Sequence, residues 1–288
     1  MMPLSTKSPS FELVEPSLAY DGYASRYDSL LLENRINAYM RTQMMNEQRK
    51  AFSPGERLLE IGCGTGDEAL ELAKYGCRVV AVDPSEGMLS EARSKANREP
   101  FGARVTFIRG YARELNTCLS RTESLRFDGA YASFALSYEP KLEPVSEALA
   151  ALVRPGGFFL TALMNRICMM EALLAMGTLH PSIAGRRLAP ETPHKVGAVS
   201  TLVIARTVSQ VKRVFDPFFE MTDERALPSI VPPAYVNRMT RKLPGLMDLL
   251  ERIDSRTSRL PILRTLGDHT LFKFRRRDGP AGTLRSNV

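Results

Sequence analysis

The 288-residue sequence has no long apolar run. Stretches such as Ala148–Val153 and Leu160–Met164 fall far short of the roughly 20 residues that cross a bilayer, so no membrane span is expected. Behind Met1–Lys7 there is no apolar segment, which argues against a secretory leader. Cysteine is scarce: Cys63, Cys77, Cys118 and Cys168 are widely spaced without a CxxC, and a reduced, cytoplasmic protein is expected. The three histidines, His180, His194 and His269, lack metal-ligand spacing, so no metal is expected. Internal repeats are missing, and so is the GxxxxGK[ST] loop that cradles nucleotide phosphates. With 44% hydrophobic and 25% charged residues, the composition is that of an ordinary globular chain, neither collagen-like nor disordered.

Charge is unevenly spread. The formal net charge is +7. Residues 1–150 hold 18 basic and 21 acidic side chains, whereas residues 151–288 hold 21 and 11. Such a basic half fits a nucleic acid, an anionic substrate or a membrane surface as a partner, and equally a solvated helical face with a basic tail. No RNA-module signature with interleaved aromatics accompanies it.

Periodicity marks one alternating region. Strands are expected at 57–62, 77–83, 105–109, 127–134 and 158–164. Between them, helices are expected at 67–75, ended by Gly76, at 86–96, capped by Ser85, and at 142–153, stopped by Pro155-Gly156-Gly157. This alternation implies a parallel sheet covered by helices on both faces, with ligands at the carboxyl ends of its strands. Ahead of it, 30–50 reads as one helix. Beyond it come a helix at 167–176, a loop or lid at 177–199, a short helix at 209–215 and a strand at 218–227. A largely helical stretch follows at 232–260, broken at Pro244-Gly245, and then a closing strand at 269–274. The expected organisation is a helical cap segment (1–54), an α/β core (55–165), and a lid with substrate-side insertions and closing strands (166–288).

The first loop after the first strand reads Glu60-Ile61-Gly62-Cys63-Gly64-Thr65-Gly66. Glycines at alternate positions let backbone approach a ligand with no Cβ in the way. Asp83 ends the next strand, 21 positions after Gly62, where a carboxylate can accept both hydroxyls of a ribose. The sixth position of the dinucleotide fingerprint is here Asp67, not glycine, and a carboxylate at that helix start repels phosphate. The pattern therefore fits an adenosine ligand without phosphates.

Leu58–Gly66 together with Val80-Ala81-Val82-Asp83-Pro84-Ser85-Glu86-Gly87-Met88 resembles the class I S-adenosylmethionine (SAM)-dependent methyltransferases of the small-molecule type, and Leu152–Phe158 resembles the family's turn before its fifth strand. The resemblance covers about residues 55–165. It implies a doubly wound, mostly parallel seven-stranded sheet with helical lid insertions, and SAM as cofactor. It also implies that Gly62, Cys63, Gly64 and Gly66 pass under the methionine part, with Glu60 facing its amino group. Asp83 would take the ribose hydroxyls, Pro84 and Met88 the adenine side, and Ser133 a place near the sulfonium. The family's Gly-Asp-Ala after strand three is here Gly110-Tyr111-Ala112, so Tyr111 is expected to stack where an aspartate would bond. The segment Tyr20–Asp28 resembles one that closes over SAM, with Tyr27 as the expected contact; Tyr20, Tyr23 and Tyr27 also make an ordinary packing stripe.

Methyl transfer needs alignment and exclusion of water, and a base only where the acceptor carries a proton. No catalytic residue is fixed by the sequence; Tyr138, Glu139, His180 and His194 are candidates, each equally readable as a surface or packing residue. Ser133–Pro140 lacks the Asn/Asp-Pro-Pro-aromatic motif of nucleic-acid amino methyltransferases of this fold. Met164, Ile167, Met169, Met170, Leu173, Leu174 and Met176 offer an adaptable apolar wall, and read at least as well as a helix simply packed on the sheet. The expected activity is methylation of a small, partly apolar metabolite at O, N or C. The alternatives are methylation of RNA or protein through the basic half and a non-catalytic partner subunit. The acceptor atom and oligomeric state stay open.

Overall fold

A computed structural model describes residues 12–119, 126–178 and 185–278. The chain opens with three helices, α1 (Pro16–Asp21), α2 (Ala24–Glu33) and α3 (Arg35–Ala51). The alternating region follows as β1 (Arg57–Ile61), α4 (Asp67–Tyr75), β2 (Arg78–Asp83), α5 (Glu86–Ala96), β3 (Val105–Arg109), α6 (Leu115–Leu119), β4 (Phe127–Ser133), α7 (Glu143–Leu152) and β5 (Val153–Met164). Then come α8 (Met169–Thr178), β6 (Thr192–Val196), β7 (Val199–Val203), α9 (Val208–Phe215), β8 (Phe219–Leu227), α10 (Asn237–Thr240), α11 (Pro244–Thr257) and β9 (His269–Arg276).

Seven strands form one sheet in the order β3-β2-β1-β4-β5-β9-β8, in which only β9 runs against its neighbours. Side chains alternate between two cores, as a sheet covered on both faces requires. Leu59, Ile61, Val80, Val82 and Phe159 face one core with α7 and α9. Leu58, Val79, Ala81, Tyr131 and Leu160 face the other, with Met40, Met44, Leu70 and Leu72. On the first face Phe215 and Phe274 stack at 4.9 Å between centroids, Phe272 stacks on Phe274 at 5.8 Å, and Phe159 joins both.

Several boundaries differ from the sequence reading, each for a local reason. The expected helix at 30–50 is two, because Asn34 leaves the helical region and its side chain accepts from the amides of Ile36 and Asn37, capping a new start. The fifth strand begins at Val153 rather than Phe158, with Pro155–Gly157 inside it opposite a register shift in β4. Within 177–199, Thr192–Val196 pairs with Val199–Val203 as a hairpin around Gly197, whose φ of +59° suits the turn. Pro244-Gly245 starts α11 rather than breaking it, since proline at the first helical position gives up no bonded amide. The N-terminal helices also join the body: Met40, Met44 and Phe52 lie in the second core.

The aromatic cluster sets a stability expectation. Phe274→Ala should cost about 3–5 kcal/mol in urea unfolding, whereas Leu249→Ala, at a 53% exposed position on α11, should stay within about 0.5 kcal/mol.

Candidate active site

Strand order reverses between β1 and β4, and the loops that follow these two strands meet at the carboxyl edge. Gly62, at φ +73°, lies so close to the β4 loop that a Cβ on it would come 2.1 Å from Cβ of Ala135. Gly64, at φ +53°, has a different reason to be glycine. Among the described residues its Cβ direction meets only the Tyr27 ring edge, at 3.8 Å. The loop is thus pinned on one side and open on the other. Cys63 is buried beside it, and Gly66 starts α4.

Asp83 ends β2, 8% exposed, and its two oxygens accept from the amides of Ser85 (2.9 Å) and Gly64 (2.8 Å). Burial pushes its carboxyl up to about 6, against the pull of those two amides and with a push from Asp21. Each oxygen keeps a lone pair for a further donor. Glu60, one residue before the end of β1, is 2% exposed and its Oε2 has no hydrogen-bond partner. Burial and the neighbouring Glu68 raise its carboxyl well above the usual range.

Below the loop lies a network the sequence reading missed. Ser133 Oγ donates to Glu68 Oε2 (2.5 Å), Gln48 Nε2 donates to the same oxygen (2.6 Å), and Arg41 lies 3.6 Å from Glu68 Oε1. Arg41 Nη2 also donates to the Tyr27 hydroxyl (2.8 Å), tying α2 to α3 and to the loop. Asp21 fixes the start of α5, accepting from Ser85 Oγ (2.6 Å) and the Gly87 amide (2.8 Å). Thr65 donates to Asp28 (2.6 Å). Of the acidic pair at the start of α4 the sequence marks only Asp67; Glu68, Gln48 and Arg41 carry no signal there, being ordinary helix-face residues.

The other expected residues fall as follows. Pro84 and Met88 flank the loop after β2, Met88 buried. Tyr111 and buried Ala112 follow β3; the Arg113 guanidinium lies 4.0 Å over the Tyr111 ring, whose hydroxyl is 3.2 Å from Ser17 Oγ. Of the three N-terminal tyrosines, Tyr27 covers Gly64, Tyr20 shares a 2.6 Å hydroxyl contact with Tyr138, and Tyr23 abuts Gly197 of the hairpin. The Tyr20 and Tyr27 rings meet edge-on at 5.9 Å, although α1 ends at Asp21 and a new helix begins at Ala24. Burial raises the hydroxyls of both Tyr20 and Tyr138, which are neutral hydrogen-bonding groups. Glu139 lies apart from Tyr138, its carboxylate 3.6 Å from Arg113. The His194 ring meets Tyr138 edge-on at 6.2 Å. His180 and part of the expected lid lie outside the described residues. Among the described residues no group of three or more His, Cys, Asp or Glu is arranged to hold a metal, and no helix is long and apolar enough to cross a membrane.

A carboxyl raised by the fold binds its proton more tightly folded than unfolded, so its contribution to stability falls as pH rises between the two pKa values. For Asp83 the window runs from about 3.9 in the unfolded chain to about 6. Measured by urea unfolding, the stability of the wild type relative to Asp83→Asn should fall by about 2–3 kcal/mol across that window and level off above it. A flat difference would contradict the assignment.

Residues 58–157 match a family model described as a methyltransferase domain. The chain is 30% identical over 150 residues to the ubiquinone biosynthesis O-methyltransferase of Methylocella silvestris, covering 51% of this chain and 55% of that protein. It is 29% identical over 106 residues to a sterol 24-C-methyltransferase of Saccharomyces cerevisiae, covering 36% and 26%. The chain thus spans about half and about a quarter of the lengths of these two relatives. Its fold resembles that of the Burkholderia thailandensis 1,6-didemethyltoxoflavin-N1-methyltransferase, solved with 1,6-didemethyltoxoflavin and S-adenosylhomocysteine. There the TM-score is 0.55 at 19% identity, over 91% of this chain and 88% of that one.

Proposed function

We propose, from the match of residues 58–157 to a methyltransferase domain, that this chain is a class I SAM-dependent methyltransferase and that it methylates a small, partly apolar metabolite at oxygen, nitrogen or carbon. What carries the reading is the enclosure at the carboxyl edge: an open Gly64 face roofed by the chain's own Tyr27, with Tyr20 and Tyr138 closing the same side. An acceptor reaches the loop through an aromatic wall. Relatives named for a sterol and for ubiquinone biosynthesis support an apolar acceptor.

The residues present fit the cofactor on two counts: the cradle that a side chain on Gly64 would fill, and the orphaned, buried Glu60 oxygen. Gly62, Cys63, Gly64 and Gly66 would hold its amino-acid part, with Glu60 toward the ammonium. Asp83 would accept from the ribose hydroxyls, while Pro84, Met88, Tyr111 and Ala112 would bound the adenine. When bound, the cofactor supplies an electrophilic methyl on a sulfonium. Tyr20, Tyr27 and Tyr138 exclude water from that space, and Ser133 and Gln48 hold the Glu68 carboxylate under it. Positive charge is lost from the sulfonium during transfer, so these carboxylates serve binding of the cofactor more than its reaction.

The basic C-terminal half favours no polyanion. Arg187, Arg225 and Arg276 are buried, and Arg259, Arg264 and Arg277 each face an acidic partner. All four cysteines are free thiols, which suits a reducing, cytoplasmic compartment.

Calorimetric titration with S-adenosylhomocysteine tests the reading. We expect micromolar affinity, lost in Asp83→Ala. Burial favours the protonated form of Glu60 in the empty site, and an ammonium bound beside it favours the carboxylate, so binding should release up to about one proton to the buffer, read from the dependence of the enthalpy on buffer. Glu60→Gln should remove that dependence and weaken binding about tenfold. Absence of binding in the wild type would sink the proposal.

A further inference from the structure

A second cluster of charged side chains sits at the same edge of the sheet and has no part in holding the cofactor. Because β9 runs antiparallel, its first residue lies where the parallel strands end: His269 pairs in register with Met164, the last residue of β5. Asp268 Oδ2 is 2.8 Å from His269 Nδ1, and Asp268 Oδ1 accepts from Arg187 Nη2. Arg187, 2% exposed, also grips Glu171 through Nε (2.7 Å) and Nη2 (2.9 Å) and donates to the carbonyls of Asn165 and Asp268. Arg186 adds a second cation to Glu171 at 2.7 Å. Two carboxylates are thus matched by two guanidiniums, with the imidazole placed on the rim.

Burial by itself would raise Asp268, but Arg187 and His269 hold its carboxyl well below the usual range. An anionic acceptor at Nδ1 fixes the tautomer, so the proton sits on Nδ1 and the lone pair on Nε2. Asp268 thus engages Nδ1 and leaves Nε2 as the ring atom that can take a proton. The ring stands edge-on to Phe134 at 5.2 Å and 88°. Phe134 follows Ser133 directly and sits at φ +66°, a left-handed backbone that is costly outside glycine and tends to be kept where function requires it. That strain turns the residue between the Ser133–Gly62 corner and His269. The other groups facing His269 are His194, whose imidazole is lowered by burial, His269 and Arg186, and, beyond it, Tyr138.

We propose that His269, oriented by Asp268, is the general base of this enzyme and that the methyl acceptor is an aryl hydroxyl. The proposal rests on the methyltransferase reading above. A neutral amine or an electron-rich carbon attacks unassisted, whereas a hydroxyl must lose its proton. An imidazole is far better matched in proton affinity to a phenol than to an aliphatic alcohol. Phe134, Tyr138 and His194 supply ring edges for an aromatic acceptor. The acceptor O–H bond breaks and its proton passes to His269 Nε2. The oxygen pair forms the O–CH3 bond as the S–CH3 bond breaks, its electrons going to sulfur. The positive charge of the sulfonium ends on the imidazolium, compensated by Asp268. His269 is the catalytic residue in this step; Asp268 and Arg187 position it.

The probe is 4-nitrocatechol, whose ionisation is visible, titrated with pH on the wild-type protein saturated with S-adenosylhomocysteine. We expect the bound phenol to ionise at a proton concentration roughly tenfold or more above that of the free compound. His269→Gln should bring the midpoint back to the free value while S-adenosylhomocysteine still binds, and His194→Gln should keep the shift. A bound phenol with an unshifted midpoint, a shift that survives in His269→Gln, or no uptake of the phenol by the loaded protein would overturn the proposal. The wild-type arm needs no variant to fold. Failure of S-adenosylhomocysteine to bind would sink the methyltransferase reading itself, an outcome distinct from these.

Discussion

The contact between the loops after β1 and β4 is the constraint on which the site depends. A sheet whose order runs outward from β1 and then restarts on its other side must bring these two loops together at the carboxyl edge. Their approach leaves no room for a Cβ at position 62, since Ala135 occupies it. The same approach forces Gly64 to turn its open side away from the β4 loop, under Tyr27. It also sets Ser133 and Phe134 beside that loop. The cradle and the acceptor side are therefore consequences of one close packing rather than two separate constructions.

Electrostatics follow from that geometry. Glu60, Glu68 and Asp83 are all buried at or beneath the loop, and Arg41 is the cation that reaches Glu68. Burying several carboxylates with one partly exposed partner is costly, and the cost shows in the upward shifts of Glu60 and Asp83. A site of this kind is poised for a ligand that brings its own positive charge. On the other side of Phe134 the arrangement is the reverse: Glu171 and Asp268 are fully countered by Arg186 and Arg187, which leaves His269 in a charge-balanced setting. The two halves of the edge thus suit different tasks, one holding a cation and the other moving a proton.

The C-terminal arginines illustrate how little net charge alone says. Arg187 clamps three segments together, Arg276 donates to carbonyls of Ala150, Phe218 and Arg277, and Arg225 lies against Glu47 of α3. Guanidinium groups with five donors suit such interior bracing better than a lysine would. A basic excess that reads as a partner surface in the sequence is in large part a set of internal fasteners.

Sequence alone determined the elements whose signal is local. The strands at β1 to β4, the glycine loop and Asp83 could be placed because burial on both faces, turn chemistry and strand ends are written within a few neighbouring residues. The helix break at Asn34, the start of β5 at Val153 and the hairpin at 192–203 were not read, since each depends on a cap, a bulge or a pairing made with more distant chain. Only the tertiary structure decided which polar residues meet. Gln48, Glu68 and Ser133 come from three separate elements, and Arg187 reaches Asp268 across 81 positions. His269 looked like the first residue of a closing strand, and so it is. What makes it more is that β9 enters the sheet antiparallel, so that the start of the last strand falls at the edge where the others end, and no periodicity within the strand encodes the direction in which it is inserted.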